Sequence, residues 1–154
     1  MSRASEPDAG AGLVTTVAET KKAIIAAGLE VYRARGEIVH LADRVRENLL
    51  MDAGAFIRAG AAMAVGVVVR AQASDFPGED EAQLFARARA VAEGALSAGY
   101  HEVTAQLHTV ADPGDPTRIL DTWCEVSLEK PVADLAAAID EVRRAVAFDK
   151  AVPR

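Results

Sequence analysis

The sequence predicts an α+β fold in which a long N-terminal helix, or helical hairpin, precedes a ferredoxin-like β-α-β-β-α(-β) sandwich with an antiparallel sheet. Three observations lead to this prediction. Aliphatic residues recur at helical spacing over residues 14–51. A dense β-branched run, AAMAVGVVVR, occupies residues 61–70. Two runs of alternating apolar and polar residues, 101–110 and 118–128, flank a Pro-Gly turn and predict an antiparallel hairpin.

The chain has the length of one domain, with 154 residues, of which 51% are hydrophobic and 26% charged. Within it we expect a disordered tail at residues 1–12, because that stretch is polar and rich in Gly, Ala and Ser. A helical segment at 13–58 and an α+β domain at 59–154 follow, and residues 13–154 are expected to form one folding unit.

The charge balance excludes several classes of function. A net charge of −6 and an isoelectric point of about 5.1 disfavour binding to nucleic acid or to anionic membranes, both of which select basic surfaces.

No apolar run reaches the roughly 20 residues that span a bilayer. The N-terminus has no apolar leader, and the one cysteine, Cys124, cannot form an internal disulfide. These features predict a cytoplasmic protein.

The N-terminal helix is predicted from its start signal and its apolar stripe. Thr16 and Glu19 have the spacing of a capping box. The stripe then continues at seven-residue intervals through Val17, Ile24, Val31, Ile38 and Val45. Gly36 interrupts this pattern, so that one long helix and a helix broken at Gly36 both remain open.

Part of this stripe, AIIAAGLEVYRARG at residues 23–36, resembles the first DNA-binding-domain helix of TetR-type repressors. The resemblance ends there. No G-[YF]-x-x-T-[ST] segment and no short recognition helix follow, and the β-rich remainder differs from an all-helical regulator. We therefore carry no fold, site or function over from that family.

The rest of the chain is expected to form the sandwich. Residues 61–70 predict a central strand because both of its faces are mostly apolar. Residues 79–98 predict a helix that ends at Gly99, and the hairpin strands follow. A second amphipathic helix is expected from Pro131 to Val146, with Pro131 in its first turn. Whether residues 147–152 add a last edge strand is left open.

The helices of such a fold cover one face of the sheet, and the alternation of the strands places a polar set on the other. We call this set the open face; it comprises Arg70, Gln106, His108, Asp121, Trp123 and Glu125. A turn near Gly114 would make His108 and Asp121 cross-strand neighbours, and a carboxylate beside an imidazole can orient a general base. No nucleophile accompanies them, since Ser127 lies far along the strand and Cys124 points to the opposite face.

No metal site or cofactor is predicted. His101 and His108 lie seven apart on one expected strand and so face opposite sides, and His40 lies elsewhere. The glycines near the first strand precede it and do not link it to a helix, which disfavours a phosphate loop.

We therefore expect a non-enzymatic binding, regulatory or interaction module. It would self-associate as a homodimer or other homo-oligomer, or bind a protein partner, through the long helix or the open face. The alternative is a small-ligand binder or enzyme that uses His108, Asp121 and Arg70 on the open face. A third possibility is a DNA-binding regulator that uses the basic cluster Arg33, Arg35, Arg44 and Arg46.

Overall fold

The computed structural model describes residues 14–154, so the tail expected at 1–12 lies outside the described residues. The helices are α1 (Val17–Ala26), α2 (Glu81–Ser97) and α3 (Leu135–Ala147). The strands are β1 (Glu30–Arg35), β2 (Ile38–Arg46), β3 (Leu49–Arg58), β4 (Ala64–Gln72), β5 (His101–Asp112) and β6 (Asp115–Pro131). The six strands form one antiparallel sheet in the order β1-β2-β3-β4-β6-β5.

The α+β class is confirmed, but the prediction of a long N-terminal helix before a ferredoxin-like sandwich is wrong. Only α1 is helical in the segment expected to be helical at 13–58, and β1 to β3 occupy the rest. Gly28 (φ 80°) and Gly36 (φ 59°) adopt the left-handed conformation that ends one element before the next begins. The segment that resembles a repressor helix, 23–36, therefore contains the end of α1, a turn and β1.

The seven-residue pattern failed because its members fall on different elements. Val17 and Ile24 lie on α1, whereas Val31 lies on β1 and Ile38 and Val45 lie on β2. The β-branched and aromatic residues of β1 and β2 favour extended backbone, and in β2 the buried residues alternate with partly exposed ones. The start signal was correct, since Thr16 and Glu19 form a capping box at α1.

By its contacts the chain divides into two compact units, of which the first comprises residues 14–66 and 130–147. Its core contains Ile24 of α1, Val39 of β2, Ile57 of β3 and Val142 of α3, all fully buried. The Asp134 side chain accepts a 2.8 Å hydrogen bond from the Ala137 amide and begins α3. This helix thus starts later than predicted, because Pro131 still belongs to β6.

In this unit β3 approaches β4 closely at Gly66. The Phe56 ring, which is 3% exposed, lies directly over Gly66. A Cβ at position 66 would fall under 3.0 Å from three of its ring carbons. Only glycine fits below this ring without displacing it.

The second unit comprises residues 67–129 and 148–154. Its order of strand, helix and hairpin agrees with the sequence: α2 lies within the predicted range, Asp80 and Gln83 cap it, and Gly99 (φ 98°) follows it. Val67 and Val69 of β4 and Cys124 and Val126 of β6 are buried in its core. Residues 148–154 contain no strand, so the edge strand that was left open at 147–152 does not form.

Candidate functional site

The open face belongs to the second unit, where alternate residues of three strands point to the same side. Arg70 comes from β4, Gln106 and His108 from β5, and Asp121, Trp123 and Glu125 from β6. The register between β5 and β6 places His108 opposite Trp123 and Gln106 opposite Glu125. Cys124 and Val126, which alternate with Trp123 and Glu125 on β6, are buried on the other side. The period of two in the sequence was therefore sufficient to place the set on one face.

The expected pairing of His108 with Asp121 does not occur, since Asp121 lies opposite Val110. The two-residue turn Pro113-Gly114 was located correctly. The register shifts twice next to it, between Val110 and Ala111 and between Ala111 and Asp112. Irregularities of this kind move every later pair along the partner strand, and here they bring Trp123 to the position beside His108.

A polar cluster built on one ion pair links three of the predicted residues. Arg70 Nε lies 2.6 Å from Glu125 Oε2, and His108 Nε2 lies 3.4 Å from Glu125 Oε1. Glu125 thus stands between a permanent cation and an imidazole, and its side chain is only 23% exposed. This arrangement fixes the Arg70 side chain across the sheet face.

Asp121 has a separate partner that sequence reasoning missed. With the amide of Gln72 oriented to donate, its nitrogen lies 3.1 Å from both carboxylate oxygens of Asp121. Gln72 follows Arg70 by two residues on β4, so the same alternation could have assigned it to the open face. Gln106 is exposed at the edge of this group.

The centre of the face is an aromatic pair. The rings of His108 and Trp123 stack, with centroids 5.2 Å apart and an interplanar angle of 18°. Trp123 Nε1 and His108 Nε2 are buried atoms for which the described part of the chain supplies no hydrogen bond.

The groups of this face can make polar and aromatic contacts. The carboxylate nearest His108 is already engaged by Arg70, which lowers its value as the partner of a general base. The thiol of Cys124 lies on the opposite, buried side, and burial raises its pKa, which disfavours a thiolate nucleophile. Within residues 14–154 no three His, Cys, Asp or Glu side chains are placed to hold a metal ion.

A cavity on the other side of β4 was not predicted. It has a volume of 250 Å³ and lies between β4, α2 and the C-terminal residues 148–153. Its lining is mainly apolar and includes Val67, Val69, Val91, Ala95, Phe148 and Pro153. Gly94 of α2 also faces this space, and a Cβ there would meet no atom within 4 Å.

No known protein family, curated protein or solved structure matches this chain. The helices among the described residues are too short or too polar to cross a membrane.

Proposed function

We propose that this protein is a non-enzymatic interaction module that self-associates through its open face. The observation that carries the proposal is the Trp123–His108 stack, which presents a partly exposed indole at the centre of the face. Tryptophan is enriched among the residues that dominate protein–protein binding energies. A second copy of the chain is the partner we propose, and the route through a long helix is withdrawn because that helix does not form.

The surroundings of the stack support this assignment. An apolar centre bordered by fixed polar groups is the usual arrangement of a protein contact surface. Here the border consists of the Arg70–Glu125 ion pair on one side and Asp121 with Gln72 on another. Because Arg70 and Glu125 already neutralise each other, a partner that covers this pair does not bury an isolated charge.

The cytoplasm is the compartment that we propose. Cys124 is a free thiol, fully buried in the core, and the structure of the second unit uses no disulfide. Such a chain has no requirement for an oxidising environment.

Sedimentation velocity over a wide range of protein concentrations tests the proposal. We expect a concentration-dependent shift from monomer to dimer, accompanied by a change in the emission of Trp123, the only tryptophan. The variants Trp123→Ala and Asp121→Lys should both weaken the association, since one removes the centre of the surface and the other reverses a charge at its border. Tyr32→Ala, at a 43% exposed aromatic residue of β1, is the matched control and should associate as wild type.

Two results would refute self-association through this face. One is a wild-type protein that stays monomeric at every concentration. The other is a dimer that neither Trp123→Ala nor Asp121→Lys weakens while both variants retain the wild-type circular dichroism spectrum.

The contact between His108 and Glu125 favours one second candidate, a small-ligand site or enzyme on the same face. Its acid–base pair would have to be His108 with Glu125 and not the predicted pair of His108 with Asp121, because Gln72 lies beside Asp121. The emission of Trp123 titrated with small carboxylic acids tests this candidate, and saturable quenching that Arg70→Gln abolishes would support it. DNA binding is not proposed again, because the basic cluster lies on β1 and β2 and Arg44 is paired with Glu30.

A further inference from the structure

The cavity behind β4 carries a further inference, which is independent of the open face. Its described lining belongs entirely to the second unit: β4, the C-terminal half of α2 and residues 148–153 each form one side. Val67 and Val69 of β4 are each 1% exposed, and Ala92 and Ala95 of α2 are also buried. Core side chains therefore form two of the three walls, although the space between them is not filled by the chain.

The third wall is a segment without helix or strand, residues 148–154, which we call the C-terminal strap. Two contacts hold its ends. The ring of Phe148 meets the ring of Tyr100 edge-on, with centroids 5.6 Å apart and an interplanar angle of 79°. At the other end, Arg154 Nη2 lies 3.2 Å from Asp75 Oδ1. A molecule that enters the cavity can displace the middle of the strap without breaking a helix or the sheet.

The distribution of charge selects the kind of molecule that fits. Of the described residues that line the cavity, only Asp149 and Lys150 are charged, and both belong to the strap. Asp149 Oδ1 accepts a 3.1 Å hydrogen bond from the Ala151 amide, and Lys150 Nζ donates a 2.9 Å hydrogen bond to the Phe148 carbonyl oxygen. The two opposite charges are thus engaged within the strap itself. A charged ligand would exchange its hydration for walls that are mainly apolar, whereas an uncharged one has no such cost.

The size of the cavity and its lining also favour an apolar molecule over water. A water molecule inside a protein needs several polar partners, and most of this lining is aliphatic or aromatic. Apolar cavities of roughly 150 Å³ in well-packed proteins stay dry and take up benzene. In proportion, the 250 Å³ of this cavity suits a hydrocarbon of about ten carbon atoms.

We propose that this cavity is a binding site for one small uncharged hydrocarbon-like molecule, aromatic or aliphatic, of about that size. The ligand would lie against Val67 and Val69, between α2 and the strap. Removal of its apolar surface from water would supply the binding free energy. Because the site is on the other side of β4 from the open face, it does not depend on the self-association proposed above.

Ethylbenzene is the probe that tests the site, and benzoate, which is of similar size but charged, is its counterpart. Isothermal titration calorimetry should show saturable binding of ethylbenzene and none of benzoate. As a second measurement that needs no variant, ethylbenzene should raise the melting temperature of the wild-type protein. A wild-type protein that neither binds ethylbenzene saturably nor melts at a higher temperature in its presence would overturn the proposal. Benzoate binding as strong as that of ethylbenzene would overturn the assignment to an uncharged ligand.

Gly94→Leu locates the site. Gly94 lines the cavity, and a Cβ there meets no atom within 4 Å, so the leucine side chain would occupy space that the ligand needs. We expect this variant to keep the wild-type circular dichroism spectrum and to bind ethylbenzene roughly tenfold more weakly or worse. Ala86→Leu is the matched control, since it adds a leucine at an exposed position of α2 outside the lining, and it should bind as wild type. Binding that Gly94→Leu leaves unchanged, or that Trp123→Ala abolishes, would show that ethylbenzene binds elsewhere and refute the proposed site.

Discussion

Two glycines of this chain should respond in opposite ways to the same substitution. Gly66 lies in β4 and Gly94 in α2, and neither has a positive φ, so the backbone accepts alanine at both sites. Replacement of such a glycine by alanine usually stabilises a protein by about 0.4–1 kcal/mol, because the unfolded chain loses conformational freedom. At Gly94 nothing lies within 4 Å of the new Cβ, and we expect the whole gain.

At Gly66 the new Cβ would overlap the ring of Phe56. Three ring carbons would lie under 3.0 Å away, where ordinary contacts are at 3.4–4 Å. Phe56 is only 3% exposed, so its ring cannot rotate into solvent. The two strands must move apart instead. Overpacking of this kind costs about 1–3 kcal/mol. The stabilisation that alanine gives by restricting the unfolded chain offsets part of this cost, and Gly66→Ala should still destabilise the protein by about 1–2 kcal/mol.

Urea unfolding followed by far-ultraviolet circular dichroism measures both changes. The urea concentration at the midpoint of unfolding should fall for Gly66→Ala and rise for Gly94→Ala. The slope of the unfolding free energy against urea concentration should stay the same in both variants. A second substitution identifies the cause. In the background of Phe56→Leu, which removes the ring, Gly66→Ala should cost clearly less than it does alone. The reasoning is refuted if Gly66→Ala is neutral or stabilising, or if its cost is the same with and without the ring.

Three further outcomes are expected. Thr16→Ala should destabilise by about 1 kcal/mol, because the Glu19 amide loses its 3.1 Å hydrogen bond to the threonine hydroxyl; thermal unfolding measures this, and an unchanged melting temperature would contradict it. Cys124 should react slowly with a thiol reagent in the native protein and at once in denaturant, because burial raises the pKa of its thiol; rapid native labelling would contradict the buried position. The pKa of Glu102 is lowered below its ordinary value of 4.5 by Arg89, so the ion pair stabilises the fold above pH 4.5 and this contribution is lost as the pH falls through the lowered pKa. In Arg89→Gln the unfolding free energy should therefore fall less steeply on acidification below pH 4.5 than in wild type, and equal slopes would argue against the linkage.

The second unit could be predicted from the sequence because its signals are local and agree with one another. α2 has a capping box, an apolar stripe and Gly99 at its end. In β5 and β6 strict alternation placed the open face on one side, and the Pro-Gly pair located the turn. The neighbour of His108 was not predictable, because the bulges beside the turn depend on how the two strands pack and carry no clear mark in the sequence.

The structure of the N-terminal part was mispredicted because its seven-residue repeat of apolar residues is compatible with a helix and also with short strands. A seven-residue repeat fits a helix, yet the same residues can be distributed over short strands whose turns fall at Gly28 and Gly36. The glycines were visible in the sequence, but their left-handed conformation was not. The turns at the two glycines and the strand preference of residues such as Val31 and Tyr32 together outweighed the helical spacing of the apolar residues.

The first unit is assembled from two distant pieces of chain, and this has a consequence for biosynthesis. α3, at residues 135–147, packs against β3 and α1, which lie before residue 60. During translation β1 to β3 must therefore leave the ribosome long before the helix that completes their core exists. A nascent chain that ends near residue 129 lacks α3, so the sides of β3 and α1 that pack against this helix stay open to solvent until it has been made.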